Sequence, residues 1–218
     1  MPLSDPRVAR PWRAALCTCL FALAGCASQS TSIDRGEVAQ TPTPEELEAE
    51  MERALSLGQP GPEHAELMGL VGEWEVQNEL QMAPGTDPVT ELSRMVARSA
   101  LGGRFLELRT SGQMFGMPTE SVTYLGFDRR REVYMMVGLD TLGTYFVTAE
   151  GPRDADGVIR MQGRDPDPSG DQVYTFEMQL EGADAYTLRI AFDELMGQRF
   201  DPPYVMVTNR AQRRALAP

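Results

Sequence analysis

The sequence predicts an all-β protein: a single antiparallel up-and-down β-barrel of about ten strands with a short N-terminal helix. From residue 64 to residue 210, short segments in which apolar and polar residues alternate follow one another, as in half-buried strands. The connections are short, contain Gly, Pro and Asp, and show no helical period. We expect the meander to close on itself because closure removes exposed strand edges. An open sandwich is the alternative.

Composition limits both the size and the partners of the protein. The chain has 218 residues, of which 42% are hydrophobic, enough for one domain with a sizeable core and a tail. Its formal net charge of −12 argues against nucleic acid, whose binding needs a basic face. The same charge disfavours electrostatic adsorption to anionic lipid. All 20 basic residues are arginine, which excludes a lysine nucleophile or Schiff base.

Cysteine and histidine are too scarce in the domain for most catalytic and metal sites. The three cysteines, Cys17, Cys19 and Cys26, all lie near the N-terminus, so the remaining chain has no disulfide and no thiolate. A single histidine, His64, cannot build a multi-histidine zinc site. We assign it a capping or hydrogen-bonded structural role before the first strand. We therefore expect no cofactor and no metal.

The N-terminus predicts a secreted, lipid-anchored protein. An arginine-rich start precedes an apolar run over residues 14–24, which is too short to span a bilayer as a helix. We interpret residues 1–25 as a signal peptide. Leu23-Ala24-Gly25-Cys26 resembles the lipobox of bacterial lipoproteins, and this resemblance implies that Cys26 carries the lipid. With Ala27 next, it implies the periplasmic face of the outer membrane; an ordinary secretory signal is the alternative.

Between the anchor and the domain we predict a tether and a helix. Residues 26–43 are polar and read as a disordered tether. Residues 44–63 hold an amphipathic helix and a linker, because Thr43-Pro44-Glu45-Glu46 has the pattern of a capping box with proline at the first helical position. The apolar stripe of this helix is Leu47, Met51 and Leu55. We expect the stripe to pack on the domain; a partner-binding or barrel-capping helix is the alternative.

The barrel domain is predicted over residues 64–210, followed by a C-terminal tail over 211–218. In its first strand Trp74, Val76 and Asn78 share one face, and glutamates share the other. The predicted strands are 73–80, 89–100, 104–110, 120–127, 132–140, 144–150, 157–163, 172–180, 186–194 and 204–210. Asp165 falls in an acidic loop that lacks the spacing of an EF-hand, so we interpret it as a solvated turn.

Two motifs of the domain resemble a known family. The first is His64-x-x-Leu67-x-x-Leu70-Val71-Gly72-Glu73-Trp74-Glu75-Val76, and the second is Leu101-Gly102-Gly103-Arg104-Phe105-Leu106. Together they resemble a bacterial family of domains of unknown function, number 1579 in that series, over nearly the whole domain. Where that family tends to carry Trp, this chain has Gly138.

More distantly, Gly72-x-Trp74 resembles the opening of calycin barrels, which include lipocalins and fatty-acid-binding proteins. The resemblance implies a calycin-like barrel in which Trp74 plugs one end. It also implies an arginine of the last strand over the indole, which we assign to Arg210. A guanidinium on an indole face combines cation–π attraction with hydrogen bonding.

We expect the protein to be no enzyme and to bind a small apolar or amphipathic molecule in the barrel. The candidate ligand contacts are Arg104, Tyr124, Met136, Asp140 and Thr144, the last two beside a turn that matches the family. A structural or protein-interaction module of the envelope is the alternative. An enzyme that uses Asp140, Arg104 or Tyr124 in a polar pocket is the third hypothesis.

Overall fold

A computed structural model describes residues 41–114 and 116–215. The predicted signal peptide, the lipidation site Cys26 and nearly all of the predicted tether lie outside the described residues. Two helices precede the sheet: α1 (Pro44–Leu57) and α2 (Pro62–Met68). The strands are β1 (Gly72–Leu80), β2 (Val89–Ala100), β3 (Phe105–Met114), β4 (Met117–Asp128), β5 (Val133–Asp140), β6 (Phe146–Gly151), β7 (Ile159–Asp165), β8 (Gln172–Leu180), β9 (Ala185–Leu195) and β10 (Gln198–Arg213).

The ten strands form one closed antiparallel barrel, so the predicted fold class is confirmed. Each strand pairs with its neighbours in sequence, and β1 pairs with β10 to close the sheet. The last strand continues to Arg213, past the predicted end at residue 210. The seam between β6 and β7 is short, since Glu150 and Gln162 are its one paired position among the described residues.

The core lies inside the barrel because most inward positions of the alternating strands are apolar. On β1, Trp74, Val76 and Leu80 are buried, whereas Glu73, Glu75 and Gln77 face outward. Leu67 and Leu70, at the end of α2 and just after it, join the same core. The sheet closes and the core is complete within the compact unit that begins at Thr43.

Helix α1 forms as predicted, but it does not pack on the barrel. Thr43 and Glu46 make the reciprocal hydrogen bonds of a capping box. However, no residue of α1 is buried, and its apolar stripe is exposed: Leu47 by 55%, Met51 by 58% and Leu55 by 64%. The predicted packing is therefore wrong. A stripe three residues long buries too little surface to hold the helix down.

The start of α2 shows what the single histidine does. His64 is buried, and its Nδ1 accepts a hydrogen bond of 3.0 Å from the backbone N–H of Gly61. Its ring meets Phe127 edge to face, and burial lowers its pKa. The imidazole therefore caps a short helix, in agreement with the structural role expected for it.

Candidate functional site

The two ends of the barrel differ, and the difference locates the site. At one end β1 begins and β10 finishes, and α2 lies beside them; we call this the closed end. Trp74 is fully buried there, and its Nε1 donates a hydrogen bond of 2.9 Å to the carbonyl of Leu70. Its indole also meets the ring of Tyr186 at 5.3 Å. This packing fills the interior of the barrel at the closed end.

The guanidinium over the indole belongs to Arg213. Its Cζ lies 4.6 Å from the centre of the Trp74 ring, and its Nη atoms donate to the carbonyls of Val71 and Gly69 at 2.7 Å. Arg210, which we predicted for this position, is exposed on the outer face and pairs with Glu79. That prediction is wrong, because Arg213 and not Arg210 points to the inside of the barrel.

At the other end, the open end, the barrel holds a cavity of about 360 Å³. The hairpins β1–β2, β3–β4, β5–β6, β7–β8 and β9–β10 surround its mouth. Its lower wall is aromatic and aliphatic, formed by Met136, Met161, Tyr174, Phe176, Met178 and Tyr186, all of which are buried. A dry apolar wall with few polar groups is typical of a site for a small molecule.

A glycine on β5 helps to keep this cavity open. Gly138 faces inward between Met136 and Asp140, where a side chain would point into the cavity. A Cβ at this position would lie 3.1 Å from Cγ2 of Val147 and 3.6 Å from the end of Met136. Such contacts are tight but involve only side-chain atoms. The size of the residue at position 138 therefore sets the cavity volume, whereas the backbone there does not require glycine.

The upper wall carries polar groups. Asn78 and Ser93 are both buried, and Nδ2 of Asn78 donates to Oγ of Ser93 at 2.8 Å. Beside them, Oδ1 of Asn209 is buried, and no donor in residues 41–114 or 116–215 reaches it. Deeper in the barrel the hydroxyl of Tyr186 donates only to the sulfur of Met95, at 3.2 Å, and burial raises its pKa.

Two carboxylates stand at the mouth. Asp140, at the end of β5, and Asp165, at the end of β7, both line the cavity. Asp140 is exposed and accepts a hydrogen bond of 2.8 Å from the backbone of Leu142. Asp165 is half-buried, and its negative charge adds to burial in raising the pKa of Tyr174. Exposed apolar side chains occupy the hairpin tips around the mouth: Met82, Met117, Leu142, Tyr145 and Met196.

Two of the five predicted ligand contacts lie at the cavity. Met136 and Asp140 line it, and their contact with a ligand stays a prediction. Arg104 lies at the closed end, where its Nε donates to the carbonyl of Gly58 at 3.1 Å. Tyr124 faces outward and donates to Glu107 at 2.8 Å. Thr144 is an exposed residue of the β5–β6 turn.

The sequence analysis did not single out several residues of the cavity, above all Asn78, Asn209, Asp165 and Tyr186. Strand alternation already placed Asn78 on the inward face of β1, beside Trp74 and Val76. A polar residue at an inward position was therefore the available signal. Asp165 carried none, because an acidic residue next to a loop normally faces water.

The described residues offer neither a metal cluster nor a membrane-spanning helix. In residues 41–114 and 116–215, no three His, Cys, Asp or Glu side chains are grouped as a metal site requires. In the same part of the chain, no helix is long and apolar enough to cross a bilayer.

Comparison with known proteins agrees with this barrel. A family described as "Protein of unknown function (DUF1579)" matches residues 59–201, which is more than half of the chain. The chain belongs to this family. The match covers both helix α2 and the greater part of the barrel, including the β5 strand with Gly138.

The crystal structure of Rv2717c from M. tuberculosis shares the fold of this DUF1579 chain. The two are 17% identical and superpose with a TM-score of 0.51, over 72% of this chain and 100% of the other. At this identity the likeness concerns the fold alone. No curated protein matches the sequence.

Proposed function

We propose that this DUF1579 protein binds a small apolar or amphipathic molecule inside its barrel and is held in the cell envelope by a lipid anchor. The cavity of about 360 Å³ at the open end carries the proposal. Burial of hydrocarbon against its apolar lower wall is favourable by a free energy of about 25 cal/mol per Å² of surface removed from water. Polar groups near the mouth are left to orient one polar end of the ligand.

The size of the cavity limits the ligand. An apolar cavity of about 150 Å³ holds one benzene molecule. A space of about 360 Å³ therefore suits a molecule with on the order of fifteen non-hydrogen atoms. The exposed apolar side chains at the hairpin tips support entry through this end, since such groups contact apolar ligands and surfaces readily.

Binding rather than catalysis is proposed because the candidate catalytic residues do not converge. Arg104 lies at the closed end, Tyr124 on the outer face and Asp140 at the mouth. An active site needs its acid, base and substrate groups within hydrogen-bond reach of one reacting atom. These three residues cannot meet that condition together.

Native mass spectrometry tests the binding proposal. Residues 27–218, which include the complete closed sheet, would be produced in a bacterial envelope and sprayed before and after mild denaturation. We expect a bound molecule that is released on unfolding. In parallel, the neutral probe N-phenyl-1-naphthylamine would be titrated, and we expect its fluorescence to rise with a micromolar Kd. A clean apo mass without probe binding would contradict the proposal.

A matched pair of variants ties the signal to the cavity. Gly138→Val adds a branched side chain inside the cavity, and we expect at least a tenfold weaker probe affinity. Thr148→Val places the same valine side chain on the outer face of the neighbouring strand and should leave the affinity unchanged. Equal probe affinity in both variants would place the probe outside the barrel.

The lipid anchor needs its own test. In cells fed an alkyne-tagged palmitate, we expect the full chain to be labelled and to fractionate with the outer membrane, and Cys26→Ser to lose both properties. The lipobox-like tetrad supports this expectation. Labelling that persists in the variant would contradict it.

An interaction module of the envelope is the second candidate, and the exposed stripe of α1 favours it. Three apolar side chains on one face of a helix, each more than half exposed, are suited to contact with the surface of a partner protein. A photo-crosslinker at Met51 would then capture a defined neighbour in cells, whereas one at Glu48 on another face would not.

A further inference from the structure

The charge of the cavity wall is entirely negative. Asp140 and Asp165 are the charged residues that line it, and no arginine does so in the described part of the chain. Outside the barrel, by contrast, arginines are frequent, and many of them pair with carboxylates, as Arg131 does with Glu150. This difference between the inner and outer faces matters because a ligand head group at the mouth contacts only the carboxylates of the inner face.

Among the described residues, no arginine pairs with either carboxylate of the mouth. Within residues 41–114 and 116–215, no guanidinium lies within 4.0 Å of Asp140 or Asp165, although 14 such ion pairs occur elsewhere in that part of the chain. Asp140 instead accepts one backbone hydrogen bond, from Leu142. The oxygens of both carboxylates can thus accept further hydrogen bonds from a ligand in the cavity.

Two further groups of the wall favour a hydrogen-bond donor or a cation. The buried Oδ1 of Asn209 accepts no hydrogen bond from the described residues, and a buried acceptor without a donor costs about 1–3 kcal/mol. The exposed ring of Tyr145 lines the mouth in the turn between β5 and β6. The face of a tyrosine ring attracts cations.

We infer that the cavity selects amphiphiles whose head group is a protonated amine over those whose head group is a carboxylate or phosphate. The inference rests on the proposed function, since it concerns the same cavity. An amine would lie between Asp140 and Asp165 at the mouth while its hydrocarbon fills the apolar lower wall. Its N–H groups would donate to the two carboxylates and to Oδ1 of Asn209.

Energetics favour this order of ligands. A carboxylate placed at the mouth would be partly desolvated beside two like charges, without a compensating arginine. An ammonium in the same place exchanges water for carboxylate oxygens and is attracted by both charges. A neutral alcohol is neither strongly repelled nor strongly attracted by the carboxylates, and it should therefore bind with intermediate affinity.

A competition series with one chain length tests the inference. Decylamine, decan-1-ol and decanoate would each displace N-phenyl-1-naphthylamine from residues 27–218 at pH 7 and physiological salt, below their micelle-forming concentrations. We expect decylamine to bind at least tenfold more tightly than decanoate, with decan-1-ol between them. Equal displacement by the amine and the carboxylate, or the reverse order, would overturn the inference.

A double variant locates the preference. In Asp140→Asn/Asp165→Asn we expect the ratio of amine to carboxylate affinities to fall to about threefold or less. The matched control is Glu48→Gln/Glu52→Gln, which removes the same charge from the exposed face of α1. It should retain the ratio. If the control loses the ratio to the same extent, the general acidity of the protein explains it and the mouth does not.

The outcomes separate this inference from the proposed function. If the neutral probe binds, is blocked by Gly138→Val and is displaced equally by all three competitors, then the cavity binds ligands but lacks the charge preference. If the probe binds neither the unmodified protein nor any variant, the proposed function fails first, and the inference fails with it.

Discussion

The closed end and the open end of this barrel are made by the same ten strands, yet they use their polar groups in opposite ways. At the closed end, Arg213 donates to three backbone carbonyls and lies over Trp74. At the open end, and among the described residues, Oδ1 of Asn209 has no donor and no arginine pairs with Asp140 or Asp165. Satisfied groups stabilise a fold, whereas unsatisfied ones remain available to a ligand.

Packing shows the same contrast. The closed end is filled by Trp74, Tyr186 and Leu67, all buried. An ion pair of Glu66 with Arg153, extended to the hydroxyl of Tyr134, ties α2 to the sheet. The open end has a glycine in the wall and a cavity beneath the mouth. The closed end is therefore the more tightly packed, whereas the open end keeps the cavity that the proposed ligand would occupy.

The sharpest test compares an aromatic residue from each end. Trp74→Ala should lower the free energy of unfolding by about 3–5 kcal/mol, because it leaves a large cavity in the packed end. Tyr145→Ala should change it by less than about 0.5 kcal/mol, because that side chain is exposed at the mouth. Urea unfolding followed by fluorescence and circular dichroism would measure both. Similar losses would remove the distinction between the ends.

A second comparison uses two arginines of β10. Arg213→Ala should cost about 2 kcal/mol, because three carbonyls lose a donor and the indole loses its cation. Arg210→Ala should cost less than about 1 kcal/mol, since its pair with Glu79 is exposed. Thermal unfolding of the two variants under one buffer condition decides the matter. A larger loss for Arg210→Ala would favour the assignment made from sequence.

The arginine pair also shows where sequence reasoning stopped. The alternation of apolar and polar residues located all ten strands and the inward face of β1. It could do so because such alternation is visible within a few consecutive residues of the sequence. On β10, Tyr204 and Ala211 are both buried although they lie seven positions apart, a spacing that strict alternation would put on opposite faces. A register shift between Val205 and Val207 reverses the alternation at that point. A bulge leaves no clear mark in a single sequence, so Arg210 and Arg213 could not be distinguished.

The candidate site was harder to predict than the fold for a related reason. Met136 and Asp140 share a strand, so both could be placed at the cavity once β5 was recognised. The same bulge that turns Arg213 inward also turns Asn209 toward Asn78. Arg104 belongs to a family motif, but its contacts with the carbonyl of Gly58 show a role in holding the linker after α1. A motif alone does not separate such a role from ligand binding.

Acid should weaken the closed end through Asp128. Its carboxylate accepts hydrogen bonds from Arg130 and Arg131 at 2.8–3.0 Å, and these lower its pKa well below the usual range. The group is thus ionised more readily in the folded than in the unfolded chain. Its contribution is complete above the unfolded pKa of about 3.9 and is lost as pH falls toward the folded value.

The variant Asp128→Asn measures this contribution. We expect it to be less stable than the unmodified protein at pH 7, and the difference between them to shrink by pH 3. Asp156→Asn, at an exposed residue of the β6–β7 turn, should show no such pH-dependent difference. Urea midpoints at several pH values supply the measurement. A difference that is constant from pH 7 to pH 3 would contradict an ionised, arginine-bound Asp128.

The smallest effect is expected for helix α1. The triple variant Leu47→Ser/Met51→Ser/Leu55→Ser should lower the free energy of unfolding of the barrel by less than about 0.5 kcal/mol, because none of these side chains is buried against it. The same substitutions at Leu67 or Leu70 of the closed end would remove core contacts. If the triple variant destabilises the barrel by more than about 1 kcal/mol, then α1 packs on it in solution. If stability is unchanged while crosslinking from Met51 disappears, the stripe serves a partner rather than the fold.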